Sequence, residues 1–359
     1  VIMLAANPRN GAQCLRAQRS SSRLAFGGRL APRVQQRQRV ATQAAATGFA
    51  IEELRHITED GWGLEVLASR PQGKALDAPP ILFVHGSYHA AWCWSEKFMP
   101  WFSSRGYTCY ALSLRAQGNS DCVSNDKDSA IMVAGTLASH ASDLADFVQH
   151  VFVDAGRPAP VIAAHSFGGL ILQKYIQGIA QPGSSVAPTE ASKPGNFPQL
   201  SGAAFLACVP PTGNKDMIVR FLLKDPWLSV KVTWGFVAKS FAKSVDACRE
   251  LYFSDDIPRP ELEKYQKLLA SCSPVRLIDL NDVNRSVPLP PPPPHAPPAF
   301  VLGGETDKVV DTEAIRELAT AYKVPPVILP AIAHDVMLDT RWESAAQSLE
   351  SWVSQLKAK

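Results

Sequence analysis

The sequence predicts an α/β protein with a mostly parallel central sheet, helices on both faces, and a helical cap inserted between two strands. Three observations lead to this fold class. Short apolar runs such as residues 81–84 and 161–164 alternate with segments of helical periodicity, which is typical of buried parallel strands. Residues 161–169 pass from an apolar strand through a serine and two glycines into an amphipathic helix. Residues 214–286 contain long helical patterns and many aromatic residues, and strands resume at residue 299.

The chain divides into five segments of different character. They are an organellar transit peptide at residues 1–46, a first part of the core at 47–213, the helical cap at 214–286, a polyproline linker at 287–298, and a second part of the core at 299–359. Residues 1–46 are predicted to be a transit peptide because they contain many arginines and no acidic residue and lack the apolar stretch of a secretory signal. We expect this segment to be disordered. Five consecutive prolines at 290–294 favour a stiff linker.

Charge and cysteine content exclude several classes of function. The net charge of +3 comes from the leader, since residues 51–359 contain 28 basic and 33 acidic residues, so nothing favours nucleic-acid binding. The seven cysteines are scattered without C-x-x-C spacing, so we expect free thiols rather than a zinc site or a disulfide framework. No run approaches the roughly 18 apolar residues of a membrane span, which leaves peripheral membrane contact open. No cofactor and no metal ion are expected.

Residues 161–169 fit a nucleophile elbow, a sharp turn between a strand and a helix that exposes a reactive side chain. Ser166 occupies the tip of this turn. The tight backbone requires small residues two positions before and two positions after the nucleophile, and Ala164 and Gly168 stand there. The usual pattern has glycine at both places, so Ala164 is a departure, although one that the available space tolerates. The sequence therefore predicts Ser166 as a catalytic nucleophile.

The acid and base that such a serine needs follow later strands, because the carboxyl ends of parallel strands meet at one edge of a sheet. Asp307 follows the first strand after the cap, with Glu305 and Asp311 as neighbouring alternatives. His334 follows the last strand. The chain order of nucleophile, acid and base is the order found in α/β-hydrolases. We therefore expect Ser166, Asp307 and His334 to form a catalytic triad.

Two backbone amides are expected to stabilise the oxyanion of the transition state. One belongs to Phe167, directly after the nucleophile. The other belongs to Ser87, which follows His85 and Gly86 at the end of an earlier apolar strand. Gly86 matters because the backbone must come close to the reacting carbonyl group.

Two stretches carry a resemblance to a known family. The sequences His-Gly-Ser-Tyr-His-Ala-Ala-Trp-Cys-Trp at 85–94 and Ala-His-Asp-Val-Met-Leu-Asp at 333–339 resemble the branch of the α/β-hydrolase superfamily that contains plant methylesterases and hydroxynitrile lyases. The cap and the motif spacing are closer to plastid-targeted serine hydrolases of plants and algae. The loop at 113–118 departs from the family, since it lacks the more usual Asp and Gly-His-Gly. The resemblance implies a chloroplast location, while the composition of the leader alone fits a mitochondrion equally well.

These features predict a serine hydrolase that cleaves a carboxylic ester through an acyl-enzyme intermediate, acting on a small, apolar or lipid-like substrate. Aromatic residues of the cap suggest an apolar pocket, with simple packing on the core as the alternative: Trp227, Trp234, Phe236 and Phe241. Other activities stay open on the same fold. They are chlorophyllase-like or lipase activity on a plastid ester, hydroxynitrile-lyase-like or acyltransferase chemistry on the same triad, and a non-enzymatic ligand receptor.

Overall fold

The computed structural model describes residues 34–36, 50–71, 73–122, 132–224 and 226–357. Within these ranges one sheet contains nine strands: β1 (Val34–Gln36), β2 (Ile51–Ile57), β3 (Gly63–Ser69), β4 (Ile81–Val84), β5 (Cys109–Leu112), β6 (Val161–His165), β7 (Gly202–Leu206), β8 (Ala299–Gly304) and β9 (Pro326–Leu329). Their order across the sheet is β1-β2-β3-β5-β4-β6-β7-β8-β9. The strands from β4 to β9 pair in parallel, whereas β1, β2 and β3 pair antiparallel.

Helices cover both faces of this sheet. In the core they are α1 (Trp92–Ser95), α2 (Phe98–Ser104), α3 (Leu137–Val148), α4 (Gly168–Gln177), α11 (Thr312–Ala321) and α12 (Trp342–Val353). Alternate residues of a strand enter opposite layers: Leu82 packs with α3 and α4, while Phe83 packs with α2. Each layer is a continuous apolar cluster, which explains why the central strands are apolar on both sides. The predicted α/β fold class is confirmed.

In the described part of the segment predicted as the cap, six helices lie between β7 and β8: α5 (Lys215–Lys224), α6 (Pro226–Val237), α7 (Ser240–Lys243), α8 (Val245–Tyr252), α9 (Arg259–Ala270) and α10 (Leu280–Ser286). Phe241 and Tyr252 bury their rings in the same cluster as α1 and α2. The loop after β5 holds the far end of this segment, since Gln117 Nε2 donates a hydrogen bond of 3.2 Å to the Val275 carbonyl. In the part of the chain that the structure describes, no helix is long and apolar enough to cross a membrane.

The predicted leader, residues 1–46, lies outside the described residues apart from 34–36. These three residues form β1 and pair with β2, with Gln36 opposite Leu54. Here the structure departs from the expectation of disorder throughout, because extended backbone can pair with the free edge of β2. The predicted linker, residues 287–298, is bonded to the core: Gln177 Nε2 donates to the carbonyls of Pro290 and Pro291 at 2.8 and 3.0 Å.

Most cysteines in the described residues are free thiols, as expected from their spacing. Cys93, Cys109, Cys208 and Cys248 are buried, and Cys272 is half-buried. Burial in apolar surroundings raises the pKa of all five thiols, so they are poor nucleophiles. The expectation is wrong for one further cysteine, Cys122, which is disulfide-bonded.

Candidate active site

Ser166 stands at the turn between β6 and α4 with a φ angle of +54°. A residue with a side chain is strained in this left-handed region, and the surrounding structure must hold it there. Two hydrogen bonds do so: the Ser166 amide donates to the Leu206 carbonyl, and the Val209 amide donates to the Ser166 carbonyl, both at 3.3 Å. The strand, turn and helix around Ser166 therefore have the geometry of a nucleophile elbow.

Small residues let other backbone segments approach this elbow. A Cβ atom on Gly168 would lie 2.6 Å from the His85 carbonyl oxygen, and a Cβ on Gly86 would lie 2.7 Å from the Cβ of Ser166. Neither position can hold a larger residue without a shift of backbone. Ala164, by contrast, is an ordinary buried residue of β6 and is paired with Val84 on β4. The sheet therefore accommodates its methyl group at a position where glycine is more usual.

The structure brings the three expected side chains together. His334 Nε2 lies 3.1 Å from Ser166 Oγ, and His334 Nδ1 lies 2.8 Å from Asp307 Oδ2. All three residues are buried, with exposed fractions of 7% or less. The second oxygen of Asp307 accepts hydrogen bonds from the amides of Val309 and Val310 at 2.7 and 2.9 Å, which fixes the carboxylate plane.

The two alternative acids are engaged elsewhere. Asp311 caps α11 by accepting from the Ala314 amide at 2.9 Å, and it forms a two-point ion pair with Arg220. Glu305 accepts from the Ala331 amide at 3.2 Å. Of these three acids, only Asp307 is hydrogen-bonded to the His334 ring.

The charge on Asp307 controls the protonation of His334. Burial alone would lower the pKa of His334, but the charge and hydrogen bond of Asp307 outweigh it, and the charge of Asp335 acts in the same direction. The net effect raises the pKa of His334 above its ordinary value. A raised pKa strengthens the imidazole as an acceptor for the Ser166 proton.

The amides of Ser87 and Phe167 belong to the two backbone segments that meet at Ser166. Phe167 is the residue before the first turn of α4, where unpaired N–H groups and the helix dipole favour negative charge. Ser87 directly follows Gly86, whose backbone contacts the Ser166 side chain. Among the hydrogen bonds of the described residues, neither amide acts as a donor. Both are therefore free to bind an oxyanion.

His85 anchors the loop that carries Ser87. Its Nε2 accepts from the Leu114 amide at 3.0 Å, so the proton sits on Nδ1, which donates to the Gly86 carbonyl at 2.7 Å. Burial, despite the bond to Gly86, lowers the pKa of His85 to about 3. His85 is therefore a neutral residue that holds the loop of Ser87 in place through its two hydrogen bonds.

Two further buried histidines, His89 and His165, are hydrogen-bonded to the loops of the site, and the sequence analysis did not predict them. His89 Nδ1 donates to the Ser87 carbonyl at 2.9 Å, and His89 Nε2 lies 3.0 Å from Asp335 Oδ2. His165 Nε2 donates to the His334 carbonyl at 3.0 Å. These bonds join the loop of Ser87, the strand before Ser166 and the loop of His334. The only sequence feature that could have indicated these residues is their position next to the triad, since His165 precedes Ser166 and Asp335 follows His334.

Two groups of described residues have metal-ligating atoms within 4.8 Å of one another: His56, Asp146 and His150, and His89, His165 and Asp335. In each group a histidine and the aspartate are already hydrogen-bonded, at 2.7 Å for His56 and 3.0 Å for His89. The contacts are those of a hydrogen-bond network, and the chemistry of the triad needs no metal ion.

A cluster of aromatic rings lies on the cap side of the site. The rings of Tyr88, Phe236, Phe241 and Tyr252 contact one another, and the Tyr252 ring lies 6.1 Å from that of His334. Of the four cap residues expected at an apolar pocket, Phe241 is fully buried, as the alternative of packing on the core predicts, and Phe236 is half-buried. Trp227 and Trp234 do not belong to this ring cluster, since they are exposed by 79% and 61%, so the expectation of a pocket beside the triad is wrong for both.

Comparisons with known proteins agree with this architecture. Residues 81–347, well over half of the chain, match a sequence model of the alpha/beta hydrolase family. No curated protein sequence matches the chain. Among solved structures, an esterase from Thermogutta terrifontis is similar at 19% identity and a TM-score of 0.54, over 85% of this chain and 98% of that one.

Two further solved structures are similar over most of the chain. An esterase from Exiguobacterium antarcticum aligns at 16% identity and a TM-score of 0.56, over 84% of this chain and 98% of that one. A bromoperoxidase from Bacillus anthracis aligns at 14% identity and a TM-score of 0.53, over 85% and 99%. Identities this low carry the fold alone. With the nucleophile elbow, the sheet order and the match over residues 81–347, the chain belongs to the alpha/beta hydrolase family.

Proposed function

We propose that this protein is a serine hydrolase that cleaves carboxylic esters. The observation that carries the proposal is the hydrogen-bonded chain from Ser166 Oγ through His334 to Asp307, with contacts of 3.1 and 2.8 Å. Nucleophile, base and orienting acid stand within hydrogen-bond reach, which is the arrangement that activates a serine for acyl transfer.

In the first half of the reaction, Ser166 Oγ attacks the ester carbonyl carbon while its proton moves to His334 Nε2. Asp307 stabilises the imidazolium that forms, and the amides of Ser87 and Phe167 bind the negative oxygen. The tetrahedral adduct then collapses. The bond to the alcohol oxygen breaks, the proton on His334 passes to that oxygen, and an acyl group remains on Ser166.

In the second half, water attacks the acyl carbon and gives one proton to His334 Nε2. The ester bond to Ser166 Oγ breaks, that oxygen recovers the proton from His334, and a carboxylic acid leaves. The enzyme returns to its starting state with no cofactor consumed.

The aromatic lining favours esters with an apolar acyl or alcohol part. The half-buried rings of Tyr88 and Phe236 stack on one another and contact the buried rings of Phe241 and Tyr252 on the cap side of the site. Partly exposed aromatic surface of this kind favours apolar groups. A panel of p-nitrophenyl esters of increasing chain length, together with a galactolipid and chlorophyll, tests this preference. Higher kcat/KM for short polar esters than for long-chain esters would refute it.

A fluorophosphonate probe tests the nucleophile directly, because it forms a covalent bond with an activated serine oxygen and releases fluoride. We expect the wild type to label and Ser166→Ala to remain unlabelled. Ser201→Ala is a matched control, since Ser201 is also buried and donates to the Ala159 carbonyl away from the site. A folded wild type that does not label would contradict the hydrolase and favour a ligand receptor.

We also propose that the protein acts in the chloroplast. Residues 1–46 have eight arginines and no acidic residue, a composition that supports organellar import. Fusing these residues to a fluorescent protein tests the proposal. Accumulation with chlorophyll fluorescence is expected, and accumulation with a mitochondrial marker would refute it.

A further inference from the structure

Two neighbouring helices of the cap, α5 and α6, expose an unusual number of large apolar side chains. The apolar cap face consists of Ile218, Val219, Leu222, Leu223, Trp227, Trp234 and Val237. Their exposed fractions run from 43% for Ile218 to 81% for Leu223. Apolar patches of this kind are rare on soluble monomers and mark surfaces that contact a partner or a membrane.

The opposite sides of the two helices are fixed to the body, so this face cannot turn inward. Met217 buries its side chain, and Arg220 forms a two-point ion pair with Asp311 at 2.8 and 2.7 Å. On α6, the Phe236 ring stacks on Tyr88, and the Phe236 carbonyl accepts from the Tyr88 hydroxyl at 3.3 Å. The apolar cap face therefore points away from the sheet.

The charge around this face differs from that of the rest of the body. Residues 215–243 contain six basic and two acidic residues, whereas residues 51–359 as a whole contain 28 basic and 33 acidic residues. Lys215, Lys224 and Lys243 are exposed. Asp216 is exposed as well, and Arg220 is paired with Asp311, but the segment keeps an excess of basic residues. Exposed aliphatic and tryptophan side chains with a basic excess are the composition of helices that lie in the interface of an anionic bilayer.

We propose that the apolar cap face docks on the surface of an anionic lipid bilayer. Tryptophan rings suit the headgroup region, the aliphatic side chains reach the acyl boundary, and the lysines meet the anionic headgroups. Helix α6 carries Trp234 on its outer side, whereas its Phe236 ring contacts Tyr252, whose ring lies 6.1 Å from that of His334. Docking would therefore place the bilayer on the cap side of the protein. Docking and hydrolysis are separate properties, and the first is measurable without the second.

An apolar hollow adjoins the same face. It has a volume of about 230 Å³ and is lined largely by apolar residues of α6 and α8, including Val232, Trp234 and Leu251. The hollow gives room for part of a lipid chain beside Trp234. A lipid ester in the bilayer would thus find apolar surface continuous with the cap.

The test measures co-sedimentation of the full chain with lipid vesicles. All variants carry Ser166→Ala, so lipid hydrolysis cannot change the vesicles and the result does not depend on the proposed activity. Vesicles of phosphatidylcholine mixed with phosphatidylglycerol provide the anionic surface, and phosphatidylcholine alone provides the neutral one. The variant pair Leu223→Ser with Trp227→Ser removes apolar contact, while Leu76→Ser with Val153→Ser removes two exposed apolar residues outside the cap.

We expect the Leu223/Trp227 variant to lose about 100-fold in partitioning to anionic vesicles, since each side chain contributes at least a tenfold factor when buried. The Leu76/Val153 control should bind as the parent does. Lys215→Gln with Lys224→Gln should lose about 30-fold on anionic vesicles and little on neutral ones.

Three results would overturn the proposal. The first is a parent protein that stays in the supernatant with anionic vesicles. The second is a Leu223/Trp227 variant that binds vesicles as the parent does. The third is a parent that is a dimer in solution without vesicles, and a Leu223/Trp227 variant that is a monomer. The last result would assign the face to a second copy of the chain. Circular dichroism and thermal unfolding of each variant verify that the exposed substitutions leave the fold intact.

Discussion

Replacing Asp307 by asparagine should reverse the hydrogen-bonding direction at His334. Asp307 Oδ1 accepts from two backbone amides at 2.7 and 2.9 Å, so the oxygen of an asparagine must take that place. Its NH2 group then faces His334 Nδ1 and donates to it. The ring proton moves to Nε2, which can no longer accept the proton of Ser166.

The expected cost follows from this change of tautomer. A correctly placed ring with the wrong tautomer lowers kcat by about 10,000-fold in serine proteases, which corresponds to about 5.4 kcal/mol in the activation free energy. Loss of the Asp307 charge also lowers the pKa of His334, because that charge raises it in the wild type. The acidic limb of the pH profile of kcat/KM should therefore shift to lower pH.

The assay is hydrolysis of a p-nitrophenyl ester over a range of pH, with active-site concentration fixed by fluorophosphonate titration of the wild type. Asp311→Asn is the matched control, because asparagine still caps α11 and the side chain is bonded to Arg220 rather than His334. Its kcat/KM should stay near that of the wild type. An Asp307→Asn activity within tenfold of the wild type, or a larger loss for Asp311→Asn, would refute the assignment of the acid.

Three further predictions concern the same site. In the wild type, kcat/KM should rise with pH through a pKa above 6.5, because the neutral form of His334 accepts the proton and its pKa is raised; an acidic limb below 6.5 would contradict this. Gly86→Ala should lower kcat by about 100-fold or more, because its Cβ would lie 2.7 Å from that of Ser166 and displace the neighbouring Ser87 amide. Single-turnover kinetics distinguish this loss from a change in substrate binding. Asp335→Asn should reduce the free energy of unfolding by about 1 kcal/mol in urea, because a neutral amide replaces the carboxylate as the hydrogen-bond partner of His89. The same change should shift the acidic limb to lower pH, because the charge of Asp335 raises the pKa of His334; an unchanged pH profile would show that Asp335 does not act on His334.

The sequence was sufficient to find the residues that sit at strand ends. Ser166, Asp307 and His334 each follow a short apolar run, and a parallel sheet gathers the ends of such runs at one edge. Gly86 and Gly168 were equally visible, because close backbone approach has a local requirement for glycine. The sheet and its inserted helices followed from the same alternation of patterns.

Contacts between distant polar residues could not be predicted in this way. His89 and Asp335 are 246 residues apart, and no local sequence pattern around either residue predicts its contact with the other. Arg115, in the loop where the sequence departs from its family, forms a buried ion pair with Asp143 on α3, a partner that no local rule identifies. The exposure of Trp227 and Trp234 was missed because tryptophans in a helical segment usually pack inward.

The bonds that join the loops of Ser87, Ser166 and His334 have a consequence for how activity arises. Ser166 and His334 are 168 residues apart, and the loop of Ser87 is further still from Asp335. Closing such long chain segments carries a large entropic cost and makes these contacts late events in folding. Recovery of ester hydrolysis during refolding should therefore lag behind recovery of helical circular dichroism. Ester hydrolysis is therefore expected to measure the last step of folding, because turnover needs the last strand and the loop after it to have joined the sheet.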